Sequence, residues 1–177
     1  MRIEQIMRFD PTKVAPEEPV SRLIEWYANP AGRSRYTYVV DRDGVLLGVV
    51  TMMELLNLFL EPDVVDGQEK GDVSDAVALR RIGCALEEKK DLPVSRIMRL
   101  DLPTVRPEGL FLDARLLLRE RKITALPVVD ASGRLVGEVT RRVLVKLLDT
   151  MLRDPQLLTL KKDCKRLFDS QSEFFVG

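Results

Sequence analysis

Val39-Val40-Asp41-Arg42-Asp43-Gly44-Val45-Leu46-Leu47-Gly48-Val49-Val50-Thr51 returns as Val128-Val129-Asp130-Ala131-Ser132-Gly133-Arg134-Leu135-Val136-Gly137-Glu138-Val139-Thr140, with eight of the thirteen positions identical. Each copy is two apolar, β-branched runs around a short polar turn that ends in glycine, the pattern of a β-hairpin. Gly48 and Gly137 fall inside the second run, where a bulge or a close backbone approach is expected. Upstream, Ile6-Met7-Arg8-Phe9-Asp10 is echoed by Ile97-Met98-Arg99-Leu100-Asp101, followed in both copies by a valine and then Pro-Glu, at Pro16-Glu17 and Pro107-Glu108. The chain is one unit written twice, and a function is to be sought in the clefts that paired units share.

Working outward, each unit reads as a short helical lead-in (2–8 and 94–99), a short strand near Val14 or Val105, a helix (19–28 and 110–121), the hairpin, and a closing helix (52–60 and 141–152). The apolar stripes are Val20, Leu23, Ile24 and Tyr27 in the first helix and Leu110, Ala114, Leu117 and Leu118 in its counterpart. Trp26 lies beside the first stripe and reads as partial core. The early echo is offset by 91 residues and the late one by 89, so copy one carries two extra residues within its Pro- and Gly-containing loop, 29–35. These boundaries give unit 1 over 1–60, a linker with a helical insertion over 61–91, unit 2 over 92–153 and a C-terminal extension over 154–177. The insertion predicts a helix over 72–90, capped by Asp72 or Ser74, with Ala76, Leu79, Gly83 and Leu86 on one face. Asp154-Pro155 marks a further helix start, with Leu157, Leu160, Cys164, Leu167 and Phe168 as its stripe.

Composition narrows the function classes. With 177 residues, 45% hydrophobic and 32% charged, the chain has the balance of a soluble globular protein. Twenty-eight basic residues against twenty-eight acidic ones leave no excess positive field, which argues against nucleic acid or an anionic membrane as partner. Histidine is absent, which removes the usual general base, the Ser-His and Cys-His nucleophile pairs and the commonest metal ligand. No catalytic set emerges, so an enzyme is not expected, and no required cofactor or metal is implied. Cys84 and Cys164 lack metal-ligand spacing and lie in apolar helical patterns, so buried reduced thiols are expected. Without a signal region or an apolar run of membrane-spanning length, a cytoplasmic location is expected.

With this much detail, the repeated unit resembles the CBS domain, and the pair resembles a CBS tandem, or Bateman module. The residues that carry the resemblance in copy two are Ile97-Met98, Pro103-Thr104-Val105-Arg106-Pro107-Glu108, Ala114, Leu118, Ile123-Thr124-Ala125-Leu126-Pro127-Val128-Val129-Asp130 and the hairpin's second strand through Thr140. Copy one departs from the pattern, with Tyr38 in place of the family's proline and Lys13 in place of the threonine seen as Thr104. The resemblance implies an α+β fold of two β-α-β-β-α units packed about a pseudo-twofold axis, with extra helices in the insertion and at the C-terminus. It also implies two equivalent clefts, binding of adenine nucleotides or S-adenosylmethionine-like ligands, regulation of a separate effector, assembly as a homodimer and no catalysis of its own.

The family's nucleotide signature ends each unit as Gly-h-x-Thr/Ser-x-x-Asp, where the hydroxyl approaches phosphate and the acid accepts two hydrogen bonds from the ribose diol. Copy one offers Thr51 and Glu54; copy two offers Thr140, but Val143 stands where the acid would be. The resemblance groups Thr51 and Glu54 with Pro103, Thr104, Thr124 and Ala125 in a first cleft. It groups Thr140, Arg141 and Arg142 with Lys13, Arg35 and Tyr36 in a second, which lacks the acid and is rich in cations. Thr51-x-x-Glu54 is equally a helix capping box and Thr140 an ordinary N-cap. Arg141 and Arg142 at a helix start hint at an anion, or are solvated. Two functions stay open: a regulatory module sensing an adenosine-containing nucleotide, and a dimerisation or interaction scaffold with dead clefts.

Overall fold

The computed structural model describes residues 1–29, 36–60 and 75–153. The first unit contains β1 (Lys13–Val14), α1 (Val20–Ala28), β2 (Tyr36–Val40), β3 (Leu46–Thr51) and α2 (Met52–Phe59). After it come α3 (Asp75–Lys89), then α4 (Phe111–Glu120), β4 (Ala125–Val129), β5 (Leu135–Thr140) and α5 (Arg141–Arg153). β1 runs parallel to β2, and β2 pairs antiparallel with β3. β4 pairs antiparallel with β5, and Val105 adds a single parallel bridge to Val128, the counterpart of β1. The fold is α+β, as expected, and the two hairpins match residue for residue.

Local chemistry explains the hairpins. Asp41 Oδ1 accepts from the backbone N–H of Asp43 and Val45, at 2.9 and 2.8 Å. Asp130 Oδ1 does the same for Ser132 and Arg134 and also takes the Ser132 hydroxyl. These bonds, the Ser132 hydroxyl above all, hold the Asp130 carboxyl below the usual range. Gly44 and Gly133 close the two turns at φ near +81° and +82°, a region that favours glycine. The turns also clasp each other: Leu46 N–H donates to the Gly133 carbonyl and Leu135 N–H to the Gly44 carbonyl. This reciprocal pair lies across the pseudo-twofold axis, and Tyr38, Val49 and Leu135 form a small core beneath it.

Gly48 and Gly137 meet both expectations. The β2–β3 register shifts between Val39 and Val40, and the β4–β5 register between Val128 and Val129. A Cβ on Gly48 would lie 2.7 Å from the Arg99 carbonyl, and one on Gly137 2.9 Å from that of Arg8. The segments that approach so closely come from the opposite copy. Arg8 exchanges both backbone bonds with Glu138 of β5, and Arg99 exchanges both with Val49 of β3.

The lead-ins are therefore exchanged, which reading each unit as a continuous block does not anticipate. They are short 3-10 turns, Ile3–Gln5 and Val94–Arg96. Ile3 is buried in the second unit's core with Val105, Ala114, Leu118, Leu126, Val128 and Val139. Val94 is buried in the first unit's core with Val14, Val20, Leu23, Val39, Val50, Leu55 and Phe59. Backbone bonds fix the crossing, Ile3 N–H to Gly109 and Val94 N–H to Glu18. Neither hairpin unit completes its core without a segment of the other, so burial of apolar surface couples the two.

Helix faces follow the expected stripes with three corrections. Val20 and Leu23 are buried in α1, and Ile24, Tyr27 and Trp26 pack half-buried against the same core. The Tyr27 hydroxyl reaches the Val50 carbonyl and the Thr37 hydroxyl, both at 2.8 Å, and burial pushes its pKa up to about 12. Leu110, by contrast, is exposed: it is the N-cap of α4, in extended conformation before the helical spacing begins. In α3 the inward face is Ala78 with Ile82, Ala85 and Leu86, while Ala76, Leu79 and Gly83 point to solvent. The packed stripe is rotated from the expected one because α3 rests one face on α2, where Lys89 Nζ also bonds the Leu58 carbonyl. Cys84 falls off that face and is exposed, not buried. The proposed caps Asp72 and Ser74, the helix from Asp154 with its stripe, and Cys164 lie outside the described residues.

Candidate functional site

The end of β3 delivers Thr51 to the start of α2, and both halves of the capping box form. Thr51 Oγ1 accepts from Met53 N–H at 3.2 Å. One carboxylate oxygen of Glu54 takes the Thr51 backbone N–H at 2.8 Å and also the Thr51 hydroxyl. The other lies 3.2 Å from Nε of Arg99, which the exchanged lead-in carries to this edge of β3. The Glu54 side chain is 12% exposed and that of Arg99 46%. The acid thus serves at once as helix cap and as half of an ion pair between the copies.

Beside this cap lies a cleft of ≈ 350 Å³ lined by Tyr36, Thr51, Met52, Met53 and Thr124. It joins the two copies: Tyr36 pairs with Thr51 across β2–β3, and its hydroxyl accepts from both the N–H and the hydroxyl of Thr124, each at 3.2 Å. Thr51 and Thr124 are therefore brought together. Tyr36, grouped above with the second cleft, lines this one instead, because the Tyr36 end of β2 abuts the start of β4. Ala125 is buried behind Thr124 as the first residue of β4. Pro103 is half-buried and Thr104 exposed, and neither lines the cleft.

The second cleft is less well assembled. Thr140 Oγ1 accepts from Val143 N–H at 3.2 Å, an N-cap without a reciprocal acid. Arg141 N–H bonds the Thr124 carbonyl, and the side chains of Arg141 and Arg142 are exposed. Lys13 does not join them. Its Nζ reaches the Leu135 carbonyl, at the opposite end of β5 from Thr140. It lines a separate groove of ≈ 500 Å³ between residues 13–17 and 40–43. Arg35 lies outside the described residues.

One constellation escaped sequence reasoning. Glu138 is 2% exposed; Arg8 Nη2 lies 2.9 Å from its carboxylate and the Tyr38 hydroxyl donates to it at 3.1 Å. Burial raises the Glu138 pKa above its ordinary 4.5, opposed by the Arg8 charge and the Tyr38 bond. Burial, then the neighbouring carboxylate, push the Tyr38 hydroxyl far up. The available signals were a lone acid inside an otherwise apolar strand and a tyrosine where copy two has Pro127.

Comparison with known proteins now places the chain. The CBS domain family model matches residues 3–61 and 94–150, more than half of the sequence. A CBS domain-containing protein of Dictyostelium discoideum is 32% identical over 64% of this chain and 69% of its own length. An uncharacterized 33.4 kDa protein in the ribosomal RNA operon of Thermofilum pendens is 31% identical over 90% of this chain, which spans only 51% of that protein. Among solved structures, the CBS-pair protein CBSX2 of Arabidopsis thaliana superposes with a TM-score of 0.65 at 24% identity, covering 86% of this chain and 97% of that one. CBSX2 has also been solved in complex with AMP. The CBS domain pair of protein MJ0100, solved with 5′-methylthioadenosine and S-adenosyl-L-methionine, gives 0.58 at 17% identity, with 85% and 97% coverage. Duplicated hairpins, exchanged lead-ins and the family match converge: the chain belongs to the CBS-domain family, as a tandem pair.

Proposed function

We propose that this chain is a regulatory module that binds an adenosine-containing ligand in the cleft at Tyr36, Thr51 and Thr124, and passes its state to a partner. One observation carries the reading: Thr51 and Thr124 of the other copy meet at one cleft that spans both units, and Glu54 bonds Thr51 beside it. Its size suits a small-molecule site. Tyr36, Met52 and Met53 offer apolar faces to a base, and Glu54 offers a carboxylate to a ribose diol. The adenosine compounds held by the CBS pairs described above support this chemistry. The Thr140 end, lacking an acid, is a weaker site. Residues 1–60 and 92–153 act as the two sensing units. A ligand that prefers one arrangement of them shifts the population toward it, which is regulation rather than catalysis.

Within a cytoplasmic homodimer or on a separate effector, the exposed row Val145, Leu148 and Leu152 of α5 offers the contact surface. That row also favours the second reading, an interaction scaffold. A thermal-shift series with AMP, ADP, ATP and S-adenosylmethionine separates the two. A ligand at a hundred times its Kd adds about 2.7 kcal/mol to stability, a clearly measurable rise in Tm. If none of the four raises Tm, the sensing reading fails and the scaffold stands.

A further inference from the structure

We infer that the segment 154–177 folds back over α5, as α3 covers α2, and completes the second unit. The repeat itself supplies the comparison. α2 and α5 are equivalent helices, offset by 89 residues. In copy one, Leu55 and Phe59 of α2 are 7% and 8% exposed, and Ala85 and Leu86 of α3 pack against the same core. Their counterparts in copy two are Leu144, only partly buried, and Leu148, 60% exposed. Leu147 and Met151 widen this apolar face, which has no cover. Among the described residues no helix rests on α5 as α3 rests on α2.

Chain geometry names the occupant. The helix expected from Asp154-Pro155 begins where α5 ends, at Arg153. Its apolar stripe of Leu157, Leu160, Cys164, Leu167 and Phe168 needs a face to pack on. At about 1.5 Å per residue, a helix over 155–168 spans ~21 Å, against ~20 Å for α5. Two helices of similar length in direct succession close as an antiparallel hairpin, each hiding the other's stripe from water. A separate protein or a second copy must find this face from solution, whereas the tail is held beside it at high effective concentration. Val145 and Leu152 lie on the neighbouring side of α5, as Leu56 does on α2, and remain for a partner.

The two cysteines report on this contact in the full chain. Cys84 is exposed, and Cys164 lies on the stripe. Alkylation with iodoacetamide, read by mass spectrometry of each cysteine's peptide, tests the inference. Cys164 should react at least about tenfold more slowly than Cys84, with a ratio unchanged by dilution. Leu148→Asp, at an exposed position, should bring Cys164 to within about threefold of Cys84. So should Leu157→Asp, which changes no residue of either unit. Leu56→Asp, the same change on the exposed side of α2, should leave Cys164 protected. Equal rates in the native chain would overturn the inference, as would protection that either Leu148→Asp or Leu157→Asp leaves intact. Protection lost on dilution would also overturn it, giving the face to the tail of a second copy.

Discussion

Arg8 and Arg99 began as the same residue of one repeated unit, and the two copies have used it differently. At one edge Arg8 meets Glu138 on the strand itself, sealed with Tyr38. At the other, Val49 replaces the acid and Arg99 reaches forward to Glu54 at the cap of α2. The difference teaches that a duplicated fold can use equivalent residues differently: one arginine pairs with a buried acid on the strand it borders, and its twin pairs with the acid that caps a helix.

The largest expected effect lies at the buried acid. Glu138→Ala strands the Arg8 guanidinium and the Tyr38 hydroxyl at a buried site. Breaking a buried ion pair costs about 3–5 kcal/mol, and the partial exposure of Arg8 puts this one toward the low end. Urea unfolding should show it, and a loss under about 1 kcal/mol would mean that the triad does not hold the copies together. At the cap of α2, Glu54→Ala removes half a capping box and a half-exposed ion pair, at a cost of about 1 kcal/mol. It should nonetheless weaken AMP more than it weakens the fold. A Glu54→Ala variant that binds AMP as wild type does would take this acid out of the cleft's chemistry.

The smallest effect is a pH dependence. The raised pKa of Glu138 means that the folded chain holds this proton more tightly than the unfolded one. Stability contributed by the group therefore falls as pH rises from the ordinary carboxylate value through the folded one, and is recovered on acidification. Comparing wild type with Glu138→Gln across this range should show that downward slope in wild type only. An upward wild-type slope relative to the variant would mean that the Arg8 pairing, not burial, dominates.

Much of this was legible in the sequence. The hairpins, their Asp and Gly turns, and the close approaches at Gly48 and Gly137 follow from local chemistry repeated twice. The exchange of lead-ins was not legible, because Ile3 and Val94 are apolar residues that fit either core, and sequence adjacency favours the wrong one. The stripe of α3 was misplaced because Ala78, Ile82 and Ala85 carry too little apolar surface to outvote Leu79, which is exposed. At the cleft, the family resemblance groups Thr51 with Thr124, and the fold brings these two together. The placing of Tyr36 and the pairing of Arg99 are not legible, because each depends on a contact distant in sequence, with Thr124 and with Glu54.

The claim that a ligand takes the cleft at Tyr36, Thr51 and Thr124, while the buried pair of Arg8 and Glu138 is structural, is tested most directly by amide chemical shifts of the isotope-labelled chain titrated with AMP. The account predicts saturable changes at Tyr36, Thr51 to Glu54 and Thr124, with Arg8, Tyr38 and Glu138 unmoved. Changes centred on Thr140 to Val143, or none at all, would contradict it.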